Sequence, residues 1–253
     1  ATLQVGGSLG LAKGSEILAG DDIVMELDGP HDRPLVKYPE IKMTANSSGG
    51  YVVSASSNYS GYNPWEVFDD NNPIGGNTGQ GHGWASHITA GAGSAYNTST
   101  GLEAQSVTHH SGSAQGEWIQ IELPQSITLS SFDIETRSET NYIDNMTGFP
   151  KDVILYGSTN GSSWGVVKDF TTVSKTGGAK HTEAINSSVA YKYYALVIKS
   201  IHVSGTDVGF TSIGQLRLYG TEEGDVSTDL TLSSVYNKPA TDRLQVYWDA
   251  NDK

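Results

Sequence analysis

Gly116-Glu117-Trp118-Ile119-Gln120-Ile121-Glu122-Leu123 is the stretch on which the fold turns. Trp118, Ile119, Ile121 and Leu123 interleave with Gln120 and Glu122, the two-residue period of a half-buried strand. Phe132-Asp133-Ile134-Glu135-Thr136-Arg137 follows in the same manner. Downstream, Phe149-Pro150-Lys151-Asp152-Val153-Ile154-Leu155-Tyr156-Gly157-Ser158 is closed by Asn160-Gly161-Ser162-Ser163-Trp164. Asn-Gly between apolar runs is a tight-hairpin signal. Tyr191 to Ile201 and Ile213 to Tyr219 read as the closing strands. Upstream stand Ser54-Ala55-Ser56-Ser57, then Asn63-Pro64-Trp65-Glu66-Val67-Phe68-Asp69-Asp70-Asn71, then Trp84. Strands of this length without a helical period predict an all-β chain of two packed antiparallel sheets.

Composition agrees with that class. The 253 residues include 30 Gly, with 36% hydrophobic and 17% charged residues, as suits short strands joined by many turns. No fixed-period repeat suggests a solenoid or propeller. The formal net charge of −13 argues against nucleic-acid binding, which needs clustered Lys and Arg. No apolar run is long enough to span a bilayer. With no cysteine, disulfides and thiolate metal sites are excluded. A cysteine-free chain without a recognisable leader favours assembly in a reducing cytoplasm. Ala1 fits either removal of an initiator Met or cleavage of a signal, and the sequence leaves both open.

The ordered stretches between Ser54 and Gly220 resemble the discoidin domain, the group that includes coagulation-factor C-domains and family 32 carbohydrate-binding modules. That resemblance implies a galactose-binding-like jelly-roll β-sandwich with β extensions at both ends. The expected organisation is an extended arm over 1–45, the sandwich over 46–220, and a linker with a β-hairpin over 221–253. Gly29-Pro30 and Pro34 forbid a long helix in the arm. Trp65, Trp84, Trp118 and Trp164 sit at family-typical positions and are expected to pack in or near the core.

Many discoidin-type domains hold a structural Ca²⁺ on an Asp turn and a last-strand Glu. The resemblance carries this role to Asp69, Asn71, Thr78 and Gln215, since hard oxygen donors at short spacing suit Ca²⁺. Two departures stand out: Asp70 where Gly is usual, and Gln215 where the carboxylate-bearing Glu is usual. The competing reading is a tight Asp/Asn turn capped by its own side chains.

Long loops at 72–83, 86–116, 138–149 and 202–212 are expected at the sandwich ends, where binding sites are built. Sugars are held by aromatic stacking and by planar or charged side chains on their hydroxyls. The candidates are Tyr62, His82, His87, His109, Arg137, Tyr142, Asn145 and His202, with Tyr59 and His110 beside them. Each His taken singly reads better as a plain polar loop residue, and Arg137 suits bracing of the sandwich end more than ligand contact. The 86–116 loop reads as either a recognition loop or a hidden hairpin. No Gly-x-Ser-x-Gly elbow, His-Glu-x-x-His helix or phosphate loop is present, so the expectation is a non-enzyme.

The expected function is therefore binding, to a glycan or a protein surface. The arm, with Asp22-Ile23-Val24-Met25-Glu26-Leu27-Asp28-Gly29-Pro30, resembles leaders on virion proteins of large algal DNA viruses. That implies a virion-surface, capsid-decorating protein assembled in the host cytoplasm. Its terminal extensions would grip neighbouring capsid or fibre subunits, and its domain would bind host glycans. The alternative is an accessory carbohydrate-binding module of a secreted microbial glycosidase or adhesin.

Overall fold

A computed structural model of the chain describes residues 15–19, 22–27, 35–71, 83–87, 95–109, 114–137, 148–173, 179–203 and 209–223. The chain divides into two units, Ala1–Arg33 with Gly224–Lys253, and Pro34–Glu223. In the first, β1 (Ser15–Ala19) and β2 (Asp22–Leu27) form an antiparallel pair with a register shift between Ile17 and Leu18. The hairpin expected near Lys238-Pro239 lies outside the described residues.

The second unit carries β3 (Val36–Tyr38), β4 (Ser47–Ser48), β5 (Tyr51–Ala55), a 3₁₀ turn (Pro64–Phe68) and β6 (Trp84–Ala85). After these come β7 (Glu117–Glu135), β8 (Asp152–Ser158), β9 (Gly165–Thr171) and β10 (Lys180–Ala184). The last are β11 (Ala190–Ile198), β12 (Ser212–Ile213) and β13 (Gln215–Glu222). Every strand pairing among the described residues is antiparallel.

The expected all-β sandwich is built around β7, whose 19 residues serve two layers. Its first half lies between β5 and β11, with Ile119 opposite Ala55 on one side and Leu196 on the other. From β11 this layer continues through β8 to β9. Its second half lies between β13 and β10, with Phe132 opposite Leu218 and Glu183. The register of β13 against β7 slips between Tyr219 and Gly220, and that bulge lets one strand turn from layer to layer.

Side-chain alternation places the core. Ile119, Ile121, Leu123, Ile127 and Leu129 point inward, and beyond the slip Phe132 and Ile134 take over. They pack with Trp84, Phe149, Leu155, Leu196 and Leu218. Each such side chain fully buried is worth about 1.5–3 kcal/mol relative to exposure. Trp65 packs against this core from a partly buried position.

The unbroken apolar run of β8 has a separate explanation. Val153 and Leu155 face the core, whereas Ile154 and Tyr156 face outward with Ala195 and Val197. Ala114, Trp118 and Trp164 cover them, so this layer is apolar on both sides. The β8–β9 connection, residues 159–164, is longer than the two-residue turn that Asn160-Gly161 suggests. Asn160 Oδ1 accepts the amides of Ser162 and Ser163 at 2.9 Å each, which turns the loop without a type I′ pair. No helix among the described residues is long and apolar enough to cross a membrane.

Candidate functional site

An open groove of about 420 Å³ lies where the end of β5 meets the start of β7. Ser56, Ser57, Asn58, His87, Gln105 and Glu117 give it a polar lining, and Ala95 and Val107 complete the wall. The strand pairing itself brings these groups together. Ser56 N donates to Trp118 O at 2.9 Å, and Trp118 N donates to Ser56 Oγ at 2.9 Å, continuing the β5–β7 ladder by one rung. Ser57 is the hub of the rim. Its Oγ donates to Glu117 Oε2 at 2.8 Å and accepts His87 N at 2.9 Å, while its carbonyl accepts the Trp84 indole N–H at 2.8 Å.

Glu117 forms the floor at 3% exposure. The Ser56 and Ser57 hydroxyls both bond Oε2, and its own N–H donates to the buried Tyr96 hydroxyl at 3.1 Å. With both serine hydroxyls on Oε2, nothing among the described residues donates to Oε1 of this groove-lining side chain. Burial pushes the Glu117 carboxyl above the ordinary glutamate range, and the nearby Glu103 carboxylate adds to this. The two serine hydroxyls and His87 work the other way. Glu103 is fixed by accepting the amides of Gln105 at 2.6 Å and Val107 at 3.2 Å.

An aromatic rim adjoins the groove at His87. Tyr59, 46% exposed, has its ring 6.4 Å from the His87 ring and 5.8 Å from that of Tyr62. Tyr59 N donates to Ala85 O at 2.8 Å, which holds the rim against β6. Arg137 lies with Cζ 4.1 Å from the Tyr62 ring centroid, a cation–π contact.

Of the five predicted ligand-binding residues that are described, only His87 lines the groove, with Tyr62 behind the Tyr59 ring. Two assignments are corrected by burial. Arg137 is 4% exposed, so it braces Tyr62 from beneath and presents no face to a ligand. His109 is 1% exposed, edge-on to Trp118 at 5.0 Å and Trp164 at 4.6 Å, with Nε2 3.0 Å from Gln120 Oε1. It is the centre of the outer apolar cluster, not a loop ligand. The segment carrying it forms bridges, Tyr96 with Glu103 and Thr108 with Gln115, that favour the hidden-hairpin reading of the 86–116 loop. His82, Tyr142 and Asn145 lie outside the described residues, as does Thr78.

His202 stands apart from the groove, stacked on Phe149 at 6.3 Å and 3.0 Å from Thr172 Oγ1. The Thr172 hydroxyl hydrogen goes to Pro150 O at 2.6 Å, so His202 Nε2 donates to Thr172. Burial, followed by the charge of Lys151, pushes the imidazole below the ordinary histidine value, against the Thr172 contact and Asp152. A folded-state value below 6.5 means that the unfolded chain binds the extra proton first. Stability from this site is complete above 6.5 and is lost as pH falls below it. Urea titrations between pH 7.5 and 5 are expected to show this loss, and His202→Gln should flatten it.

The donor set at the Asp69 turn can be tested against calcium directly. Gln215 is fully buried, and its Nε2 donates to Glu66 O at 3.0 Å and Asp69 Oδ1 at 2.8 Å. Those are two oxygens a cation would claim, and an N–H donor already occupies both. Asp69 Oδ1 also accepts Asn71 N at 2.8 Å, which is the capped turn of the competing reading. Asp70, at φ 53°, pairs with Lys37 at 2.7 Å and Arg217 at 3.3 Å. Burial works to raise its carboxyl, but the bonds and charges of Lys37 and then Arg217 outweigh this and hold it below the ordinary aspartate range. As arranged, an amide donor sits inside the turn and two cations lie beside Asp70, which does not fit Ca²⁺. Gln215 Oε1 is buried with no hydrogen-bond partner among the described residues, and it is the oxygen that turning the amide end for end would offer. Among the described residues no group of three or more His, Cys, Asp or Glu could hold a metal ion.

Sequence reasoning missed Ser56, Ser57, Asn58, Gln105 and Glu117. One signal was present for Glu117, which occupies the same strand face as Ile119, Ile121 and Leu123. An acid at an inward position needs partners or a ligand.

No curated protein matches the chain. Several solved structures align with it at low similarity. A family 32 carbohydrate-binding module of C. perfringens NanJ, in complex with galactose, is 16% identical with a TM-score of 0.43. The alignment covers 67% of this chain and 93% of that one. A second Clostridium perfringens family 32 module, in complex with GalNAc-β-1,3-galactose, is 16% identical over 67% of this chain and 95% of that one, TM-score 0.44. A putative chitobiase fragment from Bacteroides thetaiotaomicron is 14% identical over 70% and 92%, TM-score 0.47. The Sad1/UNC-like C-terminal family matches residues 94–222, just over half of the 253 residues. That stretch runs from the groove wall at Ala95 through β7 to the end of β13. With its galactose-binding-like, discoidin-type fold, the chain belongs to the Sad1/UNC-like C-terminal family.

Proposed function

We propose that the chain is a non-catalytic binding module that holds a carbohydrate in the groove floored by Glu117. One observation carries the reading: a buried carboxylate with one oxygen that no described residue bonds, set in an open polar groove and flanked by an exposed tyrosine ring. Sugar hydroxyls need acceptors and planar polar side chains at fixed positions, which Glu117, Asn58, Gln105 and His87 supply. A pyranose face needs an aromatic plate at the rim, which Tyr59 supplies.

Of the two settings suggested by sequence, this groove directly serves an accessory module of a larger glycan-active or adhesive protein, in an extracellular location. The capsid-decorating role rests on the flanking extensions, of which residues 15–19, 22–27, 35–45 and 221–223 are among the described residues.

A glycan array followed by titration calorimetry tests the reading. The full chain is expected to bind at least one neutral or amino-sugar oligosaccharide. Tyr59→Ala should weaken that binding about tenfold, about 1.4 kcal/mol, with the melting temperature unchanged. A folded protein that retains no glycan above background overturns the proposal.

A further inference from the structure

We infer that the groove selects sugars carrying a free amine, with the ammonium group seated on Glu117 Oε1. This rests on the carbohydrate reading and deepens it.

Charge distribution is the first support. The described lining residues include one carboxylate, Glu117, and no Lys or Arg. The neighbouring Glu103 carboxylate acts on Glu117 with the same sign. Among the described lining residues His87 is the one side chain able to carry positive charge, and it sits at the rim beside Tyr59. An anionic sugar would therefore meet the Glu117 carboxyl group, with the like charge of Glu103 nearby, in a chain whose formal net charge is already −13.

The hydrogen-bond inventory is the second, independent support. Oε2 of Glu117 is engaged by Ser56 and Ser57, while Oε1 has no donor among the described residues. At 3% exposure the side chain is poorly solvated, and its carboxyl is correspondingly reluctant to ionise. A hydroxyl can donate one hydrogen to Oε1. An ammonium group donates up to three and also supplies the missing opposite charge. Asn58 contributes a further polar side chain to the same lining. Favourable pairing is strongest in a site withdrawn from water.

A lysine-bearing peptide would satisfy the same carboxylate. The observations favour a sugar because hydroxyl-bonding side chains and an exposed ring surround the acid. A peptide anchored by one ammonium would leave most of these groups without a role.

The experiment compares three probes on the full chain at pH 7: chitosan oligosaccharides, their fully N-acetylated counterparts, and oligogalacturonate. Chitosan oligomers are expected to bind at least tenfold tighter than the acetylated ones, with affinity falling as salt rises, and oligogalacturonate should not bind. Glu117→Gln keeps the shape of the side chain and should erase the difference between the first two probes. The wild-type comparison decides the matter even if that variant folds poorly. Equal or tighter binding of the acetylated oligomer overturns the amine preference and leaves the carbohydrate reading standing. Failure of every glycan in this set and on the array, with retention of a lysine-rich peptide instead, overturns both.

Discussion

Gly83→Ala is expected to destabilise the sandwich by about 3–4 kcal/mol, toward the top of the range for single substitutions. Gly83 has φ +81°, and a Cβ built there overlaps the carbonyl oxygen of Ile213 and crowds Gly214 Cα at 2.8 Å. Both obstacles are backbone, so no side chain can swing aside. The neighbouring pairing of β6 with β12, Trp84 opposite Ile213, must open instead. Trp84 is fully buried, and its indole N–H holds the Ser57 carbonyl at the groove rim. The substitution is thus expected to lower the melting temperature by roughly 6–16 °C for a unit of this size and to weaken the groove as well. Gly61→Ala is the control. Its φ is +87° but nothing lies within 4 Å of its Cβ, so backbone strain alone should appear, about 1–2 kcal/mol. Calorimetry of both variants checks the pair. Equal losses would mean that the close approach at Ile213 does not govern the cost.

Gln215→Glu is expected to convert a calcium-indifferent fold into a calcium-dependent one. In the native chain the Gln215 amide donates to Glu66 O and Asp69 Oδ1, and Lys37 and Arg217 neutralise Asp70. Wild-type melting should therefore shift by no more than about 1 °C on adding either millimolar Ca²⁺ or a chelator. The variant replaces the donor with a second carboxylate facing Asp69. Uncompensated buried charge of this kind costs about 3–5 kcal/mol. Calcium would then find oxygen ligands without the competing N–H, and binding at a hundredfold over Kd would restore about 2.7 kcal/mol. Arg217, paired with Glu135 at 2.6 Å, opposes that recovery and keeps it incomplete. A wild-type melting point that rises by several degrees with Ca²⁺ would show that the amide does not fill the cation's place.

The layers of the fold were legible because alternation along β7 and the apolar run of β8 follow directly from which faces are covered. The site was less so. The calcium expectation was carried over from a family pattern, and Gln215 was visible as its weak point. What the letters do not show is the direction of one amide, which decides whether two oxygens are open or occupied. His109 was misplaced for a related reason. A loop histidine is exposed by default, and only the fold of its segment onto Trp118 and Trp164 buries it. Glu117 went unremarked because its partners, Ser56 and Ser57, are distant in sequence and meet it only through the β5–β7 register.

The same strand that turns between the two layers begins with Glu117 and ends with Glu135. Its inward side chains form the spine of the core, so the acid at the base of the groove is anchored to the least deformable part of the molecule. An incoming partner accordingly meets a base that is already preorganised. Restriction of motion on capture then falls on the rim around Tyr59 and His87, and selectivity can diverge between relatives by altering that rim while the base stays as it is.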